Sequence, residues 1–176
     1  NVEGMLASIM LDLALHKIAP IPARSCLIQV AVDLQSPDER GLTTPYEAEK
    51  LFALEDMLAE QLAVDLQGIY VARNTSAGNR TIFYYAAAMV GFQGVIDEVM
   101  GSFPDYSYTS QAFSDPDWAM YNQFLYPTLQ EYHSILNRRA LDHLQQKGAR
   151  MDIPLKLLHH FDFGDQEMRK AFIKKA

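Results

Sequence analysis

Two arginines, Arg73 and Arg80, flank a short polar stretch between two apolar arms of the sequence. A pair of guanidinium groups at such a position could clamp a phosphate or a carboxylate by bidentate hydrogen bonds. The commoner alternative is that arginines at strand ends pair with nearby acidic side chains. If they do bind a ligand, we expect a pocket lined by Arg73, Arg80 and His159.

The best candidate for a metal site is His159-His160-Phe161-Asp162, with Asp165 three residues further on. Adjacent side chains of a strand point to opposite faces, so both histidines reach one ion only if the strand is distorted. We therefore predict no metal and no other cofactor. Glycine-rich phosphate loops, cysteine pairs, nucleophile elbows and the His-Glu-x-x-His pattern are all missing from the sequence, so no catalytic residue is assigned and an enzyme is not favoured.

Trp118 and Tyr121 lie one helical turn apart and could form an aromatic recognition patch for a partner. Packing of the same two side chains onto a sheet is the alternative, and it is the more common arrangement of aromatic residues at helical spacing.

The net charge of −7 is unevenly distributed. Residues 1–117 carry 6 basic and 16 acidic side chains, whereas residues 118–176 carry 9 and 6. The acidic part argues against direct nucleic-acid binding and favours either an ordinary solvated surface or an acidic face for a basic protein partner. On the first long helix the candidates for such a face are Glu49, Asp56 and Glu60.

The chain has no apolar run of about 20 residues, so we predict no membrane contact. The single cysteine, Cys26, cannot form an intrachain disulfide, which suits a cytoplasmic protein. The oligomeric state is not indicated.

A β-hairpin over residues 69–88 is predicted at the middle of a sheet, because both arms are rich in β-branched and aromatic residues. We place its loop at Asn74–Asn79. A strand over 26–34 with one wet face and a helix over 45–66 come before it. For that helix we predict a capping box of Thr44 and Glu47, and an end at Gly68. Its buried stripe is expected to be Leu51, Leu54, Leu58 and Leu62.

A helix over 91–102 and a strand over 106–113 follow the hairpin. The order from residue 26 is βαββαβ, which predicts an α+β fold of the ferredoxin-like split type. A leading strand over 5–15 is an extra element at an edge.

A C-terminal extension of helix, strand and helix completes the prediction. Its first helix has Asp115 as cap and Pro116 at the first position, breaks at Pro127, and continues to Lys147 with an apolar stripe. A strand over 155–163 and a helix from Asp165 follow. We expect one compact domain over 1–176, with an acidic part to about residue 114 and a basic extension from about 115.

Three stretches resemble a bacterial domain-of-unknown-function family, the one numbered 695 (DUF695). They are Gly4-x-x-Ala-Ser-Ile-x-x-Asp-Leu, Tyr70-Val-x-Arg-x-Thr-x-x-Gly-x-Arg80 and Phe83-Tyr-Tyr85.

From Phe83 onward the chain also resembles the family of the regulator of ribonuclease E activity B (RraB-like proteins). The stretches that carry this similarity are Phe103-Pro-x-Tyr106, Asp115-Pro-Asp-Trp-x-x-Tyr121, Leu125-x-Pro127, Asn137-Arg-Arg139, Leu144-x-x-x-Gly148 and Pro154…His159-x-Phe161. The chain departs from that family by having Leu155 after the proline and His159-His160 in place of a His-Trp pair.

The second resemblance implies a regulator that binds a ribonuclease and has no enzymatic activity of its own. We therefore expect a cytoplasmic regulatory protein that acts by protein–protein contact, with Glu49, Asp56, Glu60, Trp118 and Tyr121 as candidate partner-binding residues. The alternative is a small-ligand-binding protein or an enzyme of unassigned class, with its pocket near Arg73, Arg80 and His159.

Overall fold

The computed structural model describes residues 6–150 and 160–174. Its elements, in chain order, are β1 (Ala7–Leu11), a 3-10 helix (Leu13–Lys17), β2 (Cys26–Asp33), α1 (Pro45–Leu66), β3 (Ile69–Ser76), β4 (Asn79–Ala86), α2 (Phe92–Gly101), β5 (Tyr108–Ser114), a π-helical segment (Met120–Leu125), α3 (Leu129–Gln146) and α4 (Gln166–Ile173). The chain divides into two compact units, one up to Thr128 and one from Leu129.

The first unit is built on one antiparallel sheet with the strand order β1-β3-β4-β2-β5. The predicted α+β class is confirmed, and so are the connectivity βαββαβ from β2 to β5 and the edge position of β1. The ferredoxin-like fold name stays a prediction. β1 is shorter than predicted because Asp12 caps the 3-10 helix, where its side chain accepts a hydrogen bond from the Ala14 N–H at 2.9 Å.

The hairpin turn is tighter than predicted. Asn74, Thr75 and Ser76 belong to β3, and the turn is the pair Ala77-Gly78, whose φ angles are 51° and 76°. Positive φ at both central residues is the geometry that matches the twist of two paired strands. The preceding loop closes on this turn, because the Gly78 N–H donates to the Gly41 carbonyl at 2.9 Å. A Cβ at Gly41 would lie 2.8 Å from the Ala77 Cα.

One face of the sheet packs against α1 and α2. The predicted leucine stripe of α1 is confirmed: Leu51, Leu54, Leu58 and Leu62 are all fully buried. They contact Ile28, Val30, Ile82 and Tyr84 of the two central strands, together with Ile96, Val99 and Met100 of α2.

The opposite face of the sheet is covered over the first part of β2, so the predicted wet face is correct only toward the end of that strand. Leu27, Phe83 and Tyr85 lie under a lid formed by Trp118, Tyr121 and Leu125. Alternation of Gln29, Ala31 and Asp33 with apolar residues suggested a solvated face, but only the last part of β2 reaches water. The covering segment follows β2 by more than 80 residues, so the pattern of β2 itself does not reveal it.

The bounds of α1 and the N-cap position of Thr44 are as predicted, but the capping box and the glycine end signal are not. Thr44 makes no side-chain cap, and its hydroxyl donates to the Ser36 carbonyl at 3.0 Å. The Glu47 carboxylate turns away from the helix and accepts the N–H groups of Gln35 and Ser36 at 2.8 and 3.0 Å. At the other end the left-handed residue is Gln67, with φ 53°, rather than Gly68.

Asp115 fixes the segment that covers the second face. Its carboxylate accepts the N–H groups of Ala119 and Met120 at 2.8 and 3.0 Å, and the Tyr85 hydroxyl at 2.5 Å. The predicted capping role is therefore confirmed, but Pro116 does not begin a helix. Trp118 has a left-handed φ of 54°, and a π-helical turn follows it.

The second unit contains α3 and α4. Pro127 separates α3 from the preceding segment, as predicted, but α3 has no buried residue along its apolar stripe. The strand predicted over 155–163 lies largely outside the described residues, and residues 160–163 are not in a strand. Asp165 caps α4 by accepting the Met168 N–H at 2.8 Å, which confirms the terminal helix.

The division between the two units falls after Thr128, whereas the acidic part was expected to end near residue 114. The prediction of one domain over 1–176 stays a prediction.

Asp115→Ala removes three hydrogen-bond acceptor contacts of a carboxylate at once. Hydrogen bonds to charged groups are worth about 1.5–3 kcal/mol each, and bonds to a helix end about 1 kcal/mol. We expect a loss of about 2–3 kcal/mol in the free energy of unfolding, measured by chemical denaturation. Tyr85→Phe, which removes one of the three donors, is the matched control and should cost about 1.5 kcal/mol, less than Asp115→Ala.

The same carboxylate makes stability depend on pH. Burial acts to raise the pKa of Asp115, but the hydrogen bonds from Tyr85 and from the Met120 and Ala119 N–H groups outweigh it and lower the pKa below 3.8. A carboxyl whose folded pKa is depressed stabilises the protein above its unfolded pKa, and this contribution disappears as pH falls through the folded pKa. The stability gap between wild type and Asp115→Ala should be constant well above pH 4 and shrink below it. A gap that stays unchanged at acid pH would contradict this assignment.

Candidate functional site

The three acids predicted for a partner surface lie in one outward-facing stripe of α1. Glu49, Asp56 and Glu60 are exposed, and at 100° per residue they fall within about 40° of one another. The buried leucines occupy the opposite side of the helix. Their exposure follows from the leucine pattern, because a helix that buries one side presents the other to solvent.

The whole helical layer is acidic. The solvent-exposed charged residues of α1 and α2 are six acids, Glu49, Asp56, Glu60, Asp65, Asp97 and Glu98, and one base, Lys50. Lys50 forms an ion pair with Asp105 at 2.6 Å, in the loop after α2. The layer therefore presents uncompensated negative charge over both helices.

Beneath α1, a single carboxylate holds both arginines of the predicted ligand clamp. Glu55 accepts Arg80 Nη1 and Arg73 Nη1, each at 2.6 Å. The Arg80 side chain is 4% exposed and the Glu55 side chain 9%. Arg80 Nε and Nη2 donate to the hydroxyls of Thr75 and Thr43 at 3.2 and 2.6 Å. The hairpin arginines thus pair with a nearby acid, the alternative that the sequence left open.

Aromatic rings enclose this cluster. The Phe52 ring lies 4.9 Å from the Arg73 guanidinium carbon and 5.8 Å from that of Arg80, within the range of cation–π attraction. Tyr70 is half-buried beside it, and burial together with the Glu55 charge raises the pKa of Tyr70 to about 12. The phenol therefore stays neutral at physiological pH and does not compete for the arginines.

Trp118 and Tyr121 are fully buried, so they form no recognition patch on this surface. Trp118 stacks on Tyr85 with ring centroids 4.0 Å apart, and its indole N–H donates to the Arg24 carbonyl at 2.8 Å. The Tyr121 hydroxyl donates to the Asp12 carbonyl at 2.7 Å. Both residues join the covering segment to the rest of the first unit, which is the packing role considered above.

His159 lies outside the described residues, so the predicted pocket of Arg73, Arg80 and His159 stays untested. Residues 6–150 and 160–174 contain no group of three or more His, Cys, Asp or Glu side chains that could hold a metal ion. In the second unit an open cavity of about 530 Å³ is lined by Phe161, Asp162, Phe163, Asp165, Gln166 and Arg169. It contains neither arginine of the hairpin.

Comparison with known proteins identifies the first unit. A model of a family of unknown function, DUF695, matches residues 1–126. The chain belongs to this family. The match ends one residue before Pro127, so it covers the sheet, its two helices and the π-helical segment of this DUF695 protein. No curated protein and no solved structure matches the chain.

Within the part of the DUF695 chain that the structure describes, no helix is long and apolar enough to cross a membrane.

Sequence reasoning missed Glu55, the centre of the buried cluster. The available signal was its position beside Leu54 on the buried side of α1, where an unpaired carboxylate would be costly. A buried acid on that side requires a basic partner, and Arg73 and Arg80 were the only arginines predicted on the adjacent hairpin.

Glu55→Ala should strongly destabilise this DUF695 protein, because it leaves two guanidinium groups close together without a counter-charge. Removing one partner of a buried ion pair costs about 3–5 kcal/mol. Glu49→Ala on the same helix is the matched control and should change the free energy of unfolding by less than about 0.5 kcal/mol.

Glu55→Ala/Arg80→Met should recover part of that loss, because one of the two uncompensated charges is gone. Denaturant unfolding of the four proteins is the measurement. Equal midpoints for Glu55→Ala and Glu49→Ala would show that the cluster does not support the fold.

Proposed function

We propose that this protein is a non-catalytic binding protein whose acidic helical layer, formed by α1 and α2, docks on a basic segment of another protein. The observation that carries this proposal is the outward stripe of Glu49, Asp56 and Glu60, on a layer with six exposed acids and one paired lysine. Uncompensated charge of one sign steers a partner of opposite sign during encounter, and the effect weakens as salt rises.

The arrangement of the arginines supports a protein surface over a small-ligand site. A phosphate or carboxylate clamp needs guanidinium donors directed into a cavity. Arg80 directs its donors to Glu55, Thr75 and Thr43, and Arg73 donates to Glu55. Binding an anion there would require breaking ion pairs that are largely removed from water.

A ribonuclease is the specific partner that the RraB-like resemblance of residues 83–161 suggests. RNA-processing enzymes carry basic segments that bind phosphates, and an acidic layer could occupy such a segment. In this proposal the protein slows RNA cleavage by competing with RNA for the basic segment.

Glu49→Lys/Asp56→Lys/Glu60→Lys tests the proposal directly. We expect inhibition of purified ribonuclease E by this variant to be weaker than that by wild type, with the larger difference at low salt. Stability should remain within about 1 kcal/mol of wild type, because the changes lie on the exposed side of α1. The measurement is the rate of RNA cleavage at several salt concentrations, with each protein added in excess.

Glu39→Lys/Asp117→Lys/Asp142→Lys is the matched control, since it makes the same change in net charge at exposed residues that are not part of α1 or α2. It should inhibit more strongly than the α1 variant. Equal loss in both variants would show that only net charge matters. If wild type does not slow cleavage at low salt and high excess, the ribonuclease is not the partner.

A further inference from the structure

The acidic stripe of α1 runs beside a line of exposed apolar side chains. Tyr46 is 91% exposed, Val64 73% and Met57 40%, and Ala53 between them is also exposed. These positions are 7, 4 and 7 residues apart, so at 100° per residue they fall within about 40° of one another on the helix surface. Single exposed apolar residues are ordinary, but a line along one helix is not.

Two charged residues, Lys50 and Glu60, lie between these apolar residues and complete a regularly spaced strip along the helix. The positions alternate at spacings of four and three residues: Tyr46, Lys50, Ala53, Met57, Glu60 and Val64. Residues at this spacing form one face of a helix, the seam, which can pack against a second helix with knobs-into-holes contacts. Glu49 and Asp56 lie immediately beside the seam, at the flanking positions where charges select a partner helix.

From this strip we infer that the docked segment is an amphipathic α-helix, with apolar residues every three to four positions and Lys or Arg beside them. The inference rests on the proposed function and adds the form of the partner. The strip from Tyr46 to Val64 is about 27 Å long, which matches about 18 residues of helix. A helix fits better than a strand, because α1 satisfies its own backbone groups and offers no strand edge to pair with.

The exposed acids of the layer determine the sign of the partner's charge. Glu49, Asp56 and Glu60 border or interrupt the strip, and Glu98 of α2 adds a further exposed acid to the same layer. An acidic amphipathic helix would meet like charges along its whole length, whereas a basic one pairs with them. The apolar strip contributes buried surface, and the acids select against the wrong partners.

Two synthetic peptides of about 21 residues provide the test. One has Leu at alternating three- and four-residue spacing with Lys at the flanking positions, and the other has the same composition in an order with no apolar face. Binding of each to the full protein is measured by fluorescence anisotropy across a salt series. We expect the amphipathic peptide to bind at least tenfold tighter than the scrambled one.

Protein variants locate the site. Met57→Ser/Val64→Ser should remove most of the amphipathic peptide's advantage and leave the scrambled peptide unaffected. Ile18→Ser is the matched control and should change neither affinity. Ile18 is 62% exposed and follows the 3-10 helix, next to Ala19, which packs against the buried cluster of Trp118 on the other face of the sheet. Because the substituted residues are exposed, we expect unchanged melting temperatures, and measuring them checks that each variant is folded.

Other results would contradict either the helical form of the partner alone or the docking function as well. If both peptides bind alike with a salt-dependent affinity, or if Met57→Ser/Val64→Ser has no effect, the helical partner is wrong and the charge-based function stands. If neither basic peptide binds at low salt, the docking function of the acidic layer fails together with this inference.

Discussion

The packing of α1 on the sheet depends on the two ion pairs that Glu55 forms with Arg73 and Arg80. The Glu55 carboxylate lies under α1 and is shared by an arginine from each strand of the β3–β4 hairpin, so it joins the longest helix to the middle of the sheet. Two cations and one anion leave an excess positive charge, which the Thr43 and Thr75 hydroxyls and the Phe52 ring help to accommodate. Replacing a whole buried ion cluster by apolar residues can leave stability unchanged, whereas removing one partner alone leaves a buried charge without its counter-charge.

This buried cluster separates two kinds of charge on one helix. Glu55 faces the sheet and has its counter-charges, whereas Asp56, one residue later, faces solvent. Because the arginines are committed beneath α1, they do not neutralise the acids on its outer side. The acidic character of the layer is therefore a consequence of how the core is built, as well as of composition.

The sequence was sufficient for elements whose signals are local. The leucine spacing identified the buried side of α1, and the apolar arms placed the hairpin at the sheet centre. It failed where long-range packing decides. Glu47 resembles a cap residue but bonds to a loop, and the left-handed backbone at Trp118 with a π-helical turn after it replaces the helix that was predicted from Pro116. For the candidate site, the outward acids were predictable from periodicity, whereas the choice of Glu55 as the partner of both arginines required the tertiary structure.

Trp118 is the only tryptophan in the chain, and it is fully buried against the Tyr85 ring. Its intrinsic fluorescence is therefore a built-in reporter for one layer of the protein, the covering segment on the face of the sheet away from α1. Far-ultraviolet circular dichroism, in contrast, reports mainly on the helices. The two spectroscopic signals follow different parts of the architecture, so coincident transitions during unfolding show that the covering segment and the helices unfold together.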